Sequence, residues 1–420
     1  MRVIHLTTEF PWPATSGGPV RTLSQLRIVA SLPEVSSLTV ISVTEHPVPA
    51  SDVKALADAI RRSSGRAEAL EVRVVPPVFH PIHLFDFKRY VPRVVALRAL
   101  RGVPYLAGKW DSRALRNVLR DELRRGRADV VYIDHLGMAR YLPDVEATRP
   151  FARRVLDQHN VESDFFKQFA ESKRGPKKLV ATAEHRLAVD FEKRVLRDVD
   201  AVVAISSEDA RHFDRLAGVA AHVVPVVMDF ERVPRPRPAR PHFCYVGSLR
   251  WHPNVAGLDW FCQEVWPKIR RRVPEATFEI AGVGLKPDAS GNLPVPPAWR
   301  VPGVTTVGFL EDLEPLYQRS LGMLAPVFGG SGVRLKLLEG FRAGMPVVTT
   351  PDGAFGLPIR DGEEALVASD PEAFAERVEK LVADEALGER VRQGGYAYLE
   401  KHHSLSVAQA VMRDVLGVAR

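Results

Sequence analysis

The sequence is divided by one stretch, Glu231-Arg-Val-Pro-Arg-Pro-Arg-Pro-Ala-Arg-Pro241. Its four prolines in eleven residues exclude a regular helix and a central strand, because proline has no amide hydrogen and its ring fixes φ. Proline-rich segments are stiff and extended, so the stretch predicts a connector between two domains. The 420 residues of the chain are enough for two or three domains, each with a core of its own.

On the amino-terminal side, short apolar runs rich in β-branched residues alternate with longer stretches of helical periodicity. Such alternation predicts a parallel sheet with helices on both faces. The predicted strands are Val3–Thr7, Ser37–Val43, Leu70–Val75, Val130–Ile133, Arg154–Asp157, Ala201–Ile205 and His222–Val227. The predicted helices are Pro19–Leu32, Ser51–Ser63, Ser112–Arg125 and Thr182–Leu196.

The same alternation restarts after the connector. The predicted strands are Phe243–Val246, Thr277–Ala281, Val304–Val307, Gly322–Pro326, Pro346–Thr350 and Ala365–Val367. The predicted helices are Val255–Arg272, Leu313–Ser320, Val333–Ala343, Pro371–Ala383 and Glu385–Tyr398. The fold class is therefore α/β, with two Rossmann-like, doubly wound parallel-sheet domains. Ligands of such sheets bind beyond the carboxyl ends of the strands, and we expect the site in a cleft between the domains.

The predicted boundaries follow from these two blocks. Residues 1–230 form the amino-terminal domain, 231–241 the connector and 242–398 the carboxyl-terminal domain. Residues 399–420 are expected to form a helix that packs back on the first domain. No apolar run is long enough to span a bilayer, and the first residues lead into a strand without a signal-peptide cleavage pattern. Cys244 and Cys262 lie in apolar surroundings and are expected to be buried free thiols. Together these features predict a cytoplasmic protein.

Basic residues outnumber acidic ones, 58 to 51, which gives a net charge of +7. Arginine is concentrated between Phe87 and Arg127, with apolar residues at helical spacing. Such a stretch is typical of a peripheral contact with the inner membrane face or of a site for a lipid-linked acceptor, and equally of solvated surface helices. Because no aromatic-plus-basic motif accompanies the charge, we predict no nucleic-acid partner.

Two glycine-rich segments stand between a predicted strand and a predicted helix. In the first, Gly17 and Gly18 precede Pro19, an arrangement that suits either contact with an anion or a tight turn. The second runs from Gly329 to Glu339 with the sequence GGSGVRLKLLE. Arg334 and Lys336 fall in the first turn of its helix, where the helix dipole disfavours cations, so they predict an anionic ligand. Glu339 suits a ribose diol, or alternatively an ion pair with Lys336.

Two histidines end predicted strands, where ligands bind. His135 follows Asp134, and His159 follows the strand that ends at Asp157. A single histidine is more often structural than catalytic, so each by itself is a weak indication. No group of His, Cys and Asp has the spacing of metal ligands, and we therefore predict no metal site.

In combination, these elements resemble the GT-B glycosyltransferases, and most of all glycosyltransferase family 4, the retaining group 1 enzymes. The likeness covers nearly the whole chain. In the carboxyl-terminal half it rests on Tyr245–Asn254, Phe278–Gly284, Val307–Phe309, Arg334–Glu339 and Gly344–Thr350. In the amino-terminal half it rests on Gly17, Gly18, His135, His159 and Ser206.

The resemblance implies a metal-independent glycosyltransferase that moves a sugar from a nucleotide-diphosphate sugar to a hydroxyl acceptor with retention and needs no cofactor. Lipid-linked and polysaccharide precursors are the acceptors we expect. The implied catalytic residues are His135, Gly18, Arg334 and Lys336. The implied donor-binding residues are Gly17, Gly18, Ser248, Arg250, Gly282, Gly308, Phe309, Gly330, Ser331, Gly332, Val333, Arg334, Leu335, Lys336 and Glu339. The implied acceptor-side residues are His159 and Asn160.

The sequence departs from the pattern of the family in two ways. Ser331 stands where the family commonly has the first of two glutamates, which leaves the donor sugar open. Ser248 stands where the family tends to have arginine, and Pro253 or Asn254 where it tends to have lysine. The diphosphate would then be held by Arg250, Arg334 and Lys336, and we expect Arg334 and Lys336 to do so. A sugar-nucleotide epimerase is the alternative enzyme on this architecture. A basic, non-enzymatic binding protein is the third interpretation.

Overall fold

The computed structural model describes residues 1–14, 17–66, 68–80, 102–288, 291–329 and 335–418. The chain forms two compact units. The first comprises Met1–Val227 together with Leu405–Arg420, and the second comprises Met228–Ser404. The first unit therefore ends earlier than residue 230, the predicted boundary.

The first unit contains a parallel sheet flanked by helices. Its strands are β1 (Arg2–Thr7), β2 (Ser37–Thr44), β3 (Glu71–Val74), β4 (Val78–Phe79), β5 (Val130–Asp134), β6 (Arg153–Asp157), β7 (Ala201–Ala204) and β8 (His222–Val223). The helices in its part before residue 228 are α1 (Gly17–Ser31), α2 (Ala50–Ser64), α3 (Tyr105–Gly108), α4 (Arg113–Gly126), α5 (Leu142–Thr148), α6 (Glu162–Glu171), α7 (Pro176–Asp198) and α8 (Ser207–Ala217), with a 3-10 turn at Leu136–Tyr141.

The strand order of this sheet is β3-β2-β1-β5-β6-β7-β8, with β4 beside β2, and the described pairs are parallel. The order reverses between β1 and β5, which makes their carboxyl ends the switch point where ligands of doubly wound sheets bind. Alternate residues of β5 bury themselves on opposite faces. Val131 and Ile133 pack into one core cluster, and Val130 and Tyr132 into the other.

The second unit repeats the plan. Its strands are β9 (His242–Val246), β10 (Thr277–Ala281), β11 (Val304–Gly308), β12 (Gly322–Ala325), β13 (Val347–Thr349) and β14 (Leu366–Val367). Its helices are α9 (His252–Trp260), α10 (Trp266–Arg272), α11 (Glu314–Arg319), α12 (Leu335–Arg342), α13 (Pro351–Ala354), α14 (Pro371–Ala383) and α15 (Glu385–His402), with a π turn at Phe261–Val265 and a 3-10 turn at Pro297–Trp299. The parallel order is β11-β10-β9-β12-β13-β14, so the switch point lies between β9 and β12.

The proline-rich segment, predicted as a stiff connector, falls within the second compact unit. Its extended backbone projects arginines that bind groups of that unit. Arg235 donates to both carboxylate oxygens of Glu314, at 2.6 and 3.0 Å. Arg232 binds Glu400 at 2.8 Å, and Arg237 donates to a backbone carbonyl. Charge therefore fixes a segment that proline leaves without regular hydrogen bonds.

The last helix, α16 (Leu405–Leu416), belongs to the first unit. It buries Ala408 and Met412 in a core cluster of that unit, and Gln409 donates to the Ser31 hydroxyl at 2.9 Å. The predicted returning segment 399–420 is thus divided, because residues up to His402 complete α15 in the second unit.

One predicted helix, Val255–Arg272, contains a π turn in the structure. A π turn at Phe261–Val265 separates α9 from α10. Pro267 supplies the reason, since it cannot donate the hydrogen bond that a continuous helix requires at that position. Helices α6 and α8 had no counterpart in the sequence-based assignment.

Candidate active site

A buried carboxylate, Asp134, organises the switch point of the first unit. Its Oδ2 atom accepts hydrogen bonds from Thr7 at 2.8 Å and from Thr22 at 2.6 Å. Its Oδ1 atom lies 3.1 Å from Nδ1 of His135 and 2.6 Å from Nε2 of His159. Strands β1, β5 and β6 and helix α1 therefore converge on this one side chain, because their ends meet at the same edge of the sheet.

Charge in this cluster is concentrated on Asp134 and His135. Burial alone would raise the pKa of Asp134, but His159 and His135 outweigh it and hold that pKa well below its usual value. Burial disfavours a charged His135, yet the charge and hydrogen bond of Asp134 raise its pKa to about 9. Burial lowers the pKa of His159, although Asp134 opposes this. At neutral pH the cluster is an imidazolium–carboxylate pair beside a neutral imidazole.

The backbone at His135 is strained, with φ at +74°, a value that non-glycine residues adopt rarely. Its amide donates to the carbonyl of Asp157 at 2.9 Å, and Thr8 Oγ1 lies 3.1 Å from its Nδ1. The ring centroids of His135 and His159 are 3.8 Å apart. The imidazole of His135 is 21% exposed, so a charged group is held at the surface in one orientation.

Two carboxylates near His135 were missed by sequence reasoning. Glu9 follows β1, and its side chain occupies the space beside Gly18, where a Cβ atom would overlap its Oε1 atom. Burial raises the pKa of Glu9, although His135 opposes this. Burial likewise raises the pKa of Glu162, at the start of α6. The position of Glu9 directly after a predicted strand was the available signal.

A second buried ion pair supports the region and was also missed. Arg21 of α1 is 1% exposed, and its Nη2 atom lies 3.0 Å from Oδ1 of Asp157. Tyr132 donates to the other oxygen of Asp157 at 2.8 Å. The pair fixes α1 against β6, and with it Gly17 and Gly18 in the first turn of the helix.

At the switch point of the second unit, the side chain of Lys336 lies against β9. Its Nζ atom donates to Oη of Tyr245 at 2.5 Å and to Oδ1 of Asn254 at 2.9 Å. It also lies 3.8 Å from the centre of the Tyr245 ring. A Cβ atom on Gly247 would approach Cε of Lys336 to 3.0 Å. A lysine at the start of α12 is therefore held over the end of β9 and does not extend into bulk solvent.

The glycines around Lys336 allow backbone segments to touch. Gly282 has φ of +153°, and a Cβ atom there would overlap the carbonyl oxygen of Gly247. A Cβ atom on Gly284 would lie 2.8 Å from Cγ of Arg250. The amides of Gly247 and Gly282 donate to Ala281 O and Gly308 O, at 3.2 and 2.7 Å. These glycines thus serve close approach of the strand ends, and the amide of Gly282, which the resemblance implied as a donor-binding residue, is hydrogen-bonded within the protein.

The predicted base-side residues lie at the end of β11. Gly308 has φ of +74°, and Phe309 is 55% exposed. Arg250 is exposed, with its amide 3.4 Å from Oγ of Ser248. The Ser248 carbonyl accepts from Nδ2 of Asn254 at 2.9 Å, so Asn254 bridges this loop to Lys336.

Glu339 lies on α12 but does not pair with Lys336, the partner proposed as the alternative. Arg342 binds both of its carboxylate oxygens, at 2.9 and 2.5 Å. Oη of Tyr317 lies 3.4 Å from its Oε1 atom. Glu339 is 27% exposed, which leaves part of the carboxylate accessible.

The remaining predicted residues are not part of the contacts described above. Gly330, Ser331, Gly332, Val333 and Arg334 lie outside the described residues, and Leu335 is half-buried at the start of α12. Asn160 is exposed beyond His159. Ser206, part of the resemblance, accepts a hydrogen bond from the amide of Asp209 at 3.1 Å and so caps α8.

The described part of the arginine-rich stretch is a charged surface helix. Helix α4 buries Leu115, Leu119 and Leu123 in the core. Arg116 and Arg120 bind the two carboxylate oxygens of Asp144, at 3.1 and 2.6 Å. Its apolar face is therefore occupied, which favours the solvated-helix alternative for this part, while residues 87–101 lie outside the described residues. Within the described part of the chain, no helix is long and apolar enough to cross a bilayer.

The structure assembles a group that the linear spacing did not reveal. Asp134, His135 and His159 each offer a ligand atom, and these atoms lie within 4.8 Å of one another. The prediction of no metal site was based on linear spacing, which does not describe this three-dimensional group, and it stays a prediction. Since Asp134 contacts both imidazoles directly, the ion pair itself accounts for their approach.

Comparison with known proteins adds to this geometry. Residues 240–384 match the family model described as "Glycosyl transferases group 1". The resemblance to GT-B glycosyltransferases is confirmed. Sucrose-phosphate synthase from Thermosynechococcus elongatus superimposes with a TM-score of 0.64 at 13% identity, with 100% of each chain covered. The Anabaena protein Alr3699/HepE, solved with UDP and glucose, gives a TM-score of 0.63 at 12% identity and the same coverage.

A sequence relative extends over most of the chain. The protein from Klebsiella pneumoniae described as "Uncharacterized 44.6 kDa protein in cps region" is 22% identical over 386 residues, which is 90% of each protein. These comparisons support a glycosyltransferase with the GT-B fold. The narrower assignment to family 4 stays a prediction.

Proposed function

We propose that this protein is a retaining glycosyltransferase that transfers a sugar from a nucleotide-diphosphate sugar to a hydroxyl acceptor. The observation that carries the proposal is the position of Lys336. Its ammonium group is held by Tyr245 and Asn254 over the end of β9, at the switch point where ligands of such sheets bind. The Anabaena neighbour that shares this fold was solved with UDP and glucose.

Neutralisation of the leaving group is the chemistry that Lys336 supplies. In the proposed reaction the bond between the sugar C1 atom and the diphosphate oxygen breaks, and a bond from C1 to the acceptor oxygen forms on the same face. The departing diphosphate takes the hydroxyl proton of the acceptor. Lys336, together with Arg334, stabilises the negative charge that develops on the diphosphate. Because these cations neutralise that charge, the proposed reaction is independent of metal ions.

Other residues bind the nucleoside and the sugar. Glu339 accepts hydrogen bonds from the ribose hydroxyls, and part of its pairing with Arg342 is given up to allow this. The exposed ring of Phe309 flanks the base. In the first unit, the imidazolium of His135 stabilises charge at the transferred sugar, with Gly18 and Glu9 beside it. His159 fixes the orientation of that imidazolium through Asp134.

A lipid-linked or polysaccharide precursor is the acceptor that we propose. The support is the relative in a cps region and the net positive charge of the chain, which suits an anionic acceptor. A location at the inner face of the membrane is consistent with such an acceptor.

Calorimetric titration with nucleoside diphosphates tests the proposal. We expect Lys336→Ala to weaken diphosphate binding about 10- to 100-fold, as loss of one charge-assisted hydrogen bond implies. Arg334→Ala tests the second cation in the same way. Lys380→Ala is the matched control, since Lys380 is an exposed lysine of α14 in the same unit. Unchanged binding by Lys336→Ala would remove the basis of the proposal.

Product analysis separates transfer from epimerisation. Incubation with a nucleotide sugar alone should give no isomerised nucleotide sugar. If an isomer accumulates without an acceptor, the epimerase interpretation replaces transfer, even when nucleotide binding behaves as expected.

A further inference from the structure

Helices α6 and α7 form a hairpin that exposes several large apolar side chains. Its inner surface follows the ordinary pattern, with Phe166 buried in a core cluster and Ala170 also buried. On the outer surface, Phe165 is 58% exposed and Phe169 is 45% exposed. Two more apolar residues, at positions 179 and 180 in the first turns of α7, are 74% and 59% exposed. We call residues 165–180 the hairpin tip.

The packing of the unit does not require these apolar side chains. Phe165 and Phe169 are four residues apart and so share one face of α6, while Phe166 supplies the contact with the core. Large exposed apolar groups that cluster in this way mark interaction surfaces. Phe165 and Phe169 lie within about 10 Å of the loop that joins the two helices, measured along the helix axis at about 1.5 Å of rise per residue.

Basic residues lie close to the same side chains in the sequence. The hairpin tip contains five basic residues and a single acidic one, Glu171. The basic residues are Lys167, Lys173, Arg174, Lys177 and Lys178. Four of them are exposed, and the fifth, Lys173, places its ammonium group 4.4 Å from the centre of the Phe169 ring. The apolar groups therefore lie in a segment with five basic residues and one acidic residue, a net charge of +4.

We propose that the hairpin tip docks on the surface of an anionic lipid bilayer. Phe165, Phe169 and Leu179 enter the interfacial region, while the surrounding cations contact lipid phosphates. The charge complementarity argues for this occupant, because an apolar protein partner would not require five cations around the contact. Helix α4 offers the contrast within the same unit, since it is equally basic but buries its leucines in the core.

This inference deepens the proposed function, because an enzyme bound at the bilayer meets a lipid-linked acceptor there. It is nevertheless tested without donor or acceptor. Loss of vesicle binding would leave transfer to a water-soluble acceptor unaffected, and failure of the glycosyltransferase proposal would leave vesicle binding intact.

Vesicle sedimentation with the full-length chain is the experiment. We expect the protein to sediment with vesicles of phosphatidylglycerol and phosphatidylcholine, but not with phosphatidylcholine alone, and to dissociate at high salt. The double variant Phe165→Ser/Phe169→Ser should reduce binding at least about tenfold. The double variant Lys177→Glu/Lys178→Glu should also reduce it at least about tenfold.

Two matched controls keep the result specific. Phe151→Ser replaces a phenylalanine that is 98% exposed and precedes β6, away from the hairpin. Arg124→Glu/Arg125→Glu reverses two exposed charges on α4. Both should bind vesicles as the wild type does. If the phenylalanine double variant does not fold, the lysine variant decides, since its side chains are solvated.

Three outcomes would overturn the inference. The first is an absence of sedimentation with anionic vesicles, and the second is an equal loss of binding in the control variants. The third is a dimer that Phe165→Ser/Phe169→Ser abolishes while no vesicles bind, which would assign the surface to a second copy of the chain.

Discussion

The two units present different chemistry at equivalent positions of their sheets. In the first unit, the ends of β1, β5 and β6 bring together Asp134, His135 and His159, which are charged or polar and largely buried. In the second, the ends of β9 and β10 carry Gly247 and Gly282, whose backbones touch beneath one lysine. The arrangement of the first region depends on protonation of His135 and on its pairing with Asp134. The arrangement of the second depends on glycines that have no side chain. The first should therefore respond to pH and to loss of a charge, and the second to an added methyl group.

Removal of the central carboxylate should have the largest effect. In Asp134→Ala, the His135 imidazolium loses its counterion and two threonine hydroxyls lose their acceptor. We expect a loss of about 3 to 5 kcal/mol in the free energy of unfolding, typical of a broken buried ion pair, and a fall in kcat of about a thousandfold. Denaturant unfolding and steady-state kinetics measure the two effects. Asp121→Ala, at an exposed position of α4, should change neither.

Adding a methyl group at Gly282 should weaken ligand binding in the second region. In Gly282→Ala the new Cβ atom overlaps the carbonyl of Gly247, so the end of β9 must move and Lys336 with it. We expect nucleoside diphosphate affinity to fall about tenfold or more, the equivalent of one displaced charge-assisted hydrogen bond. Gly291→Ala is the control, because Gly291 also has positive φ but has nothing within 4 Å of its added Cβ. Equal binding by the two variants would contradict the steric explanation.

The pH dependence should distinguish the two regions. The pKa of folded His135, about 9, lies above the ordinary value of 6.5. Its imidazolium therefore contributes stability that is fully present below pH 6.5 and is lost as the pH rises through about 9. We expect kcat to stay nearly constant below this pKa and to fall about tenfold per pH unit above it. In Asp134→Asn the midpoint should move down toward about 6.5.

Nucleoside diphosphate binding provides the internal comparison. If lysine and arginine hold the nucleoside diphosphate in the second region, as we propose, the affinity should stay nearly constant between pH 7 and 9. If the affinity followed the same pH dependence as kcat, both regions would depend on one titrating group. That result would contradict the expectation that the two regions respond to pH independently.

Chelation should have the smallest effect. If Asp134, His135 and His159 act as an ion pair with a neighbouring imidazole, EDTA should leave the rate of transfer unchanged. A rate that EDTA abolishes, that a divalent cation restores, and that His159→Ala makes insensitive to the cation would instead establish a metal centre at this cluster.

The local pattern of the sequence was enough to predict the architecture. Strand and helix periods alternate in two blocks, and parallel sheets with helices on both faces bury those patterns. The helical pattern of the sequence also placed Lys336 near the start of a helix. Because a cation in the first turn conflicts with the helix dipole, that position predicted an anionic ligand. Glycines after β9 and β10 were visible as well, although only the structure showed that their amides serve the protein itself.

Tertiary structure alone decided the partners. Asp134 and His159 are 25 positions apart, and Glu9 is more distant still. Their approach depends on strand order, which the periodicity of single segments does not specify. The same holds for the buried pair of Arg21 with Asp157 and for the arginines that fasten the proline-rich segment to the second unit. The sequence predicts which elements form because helical hydrogen bonds and the apolar period of each segment are local. Strand order and side-chain pairing instead follow from packing between elements that are distant in the chain.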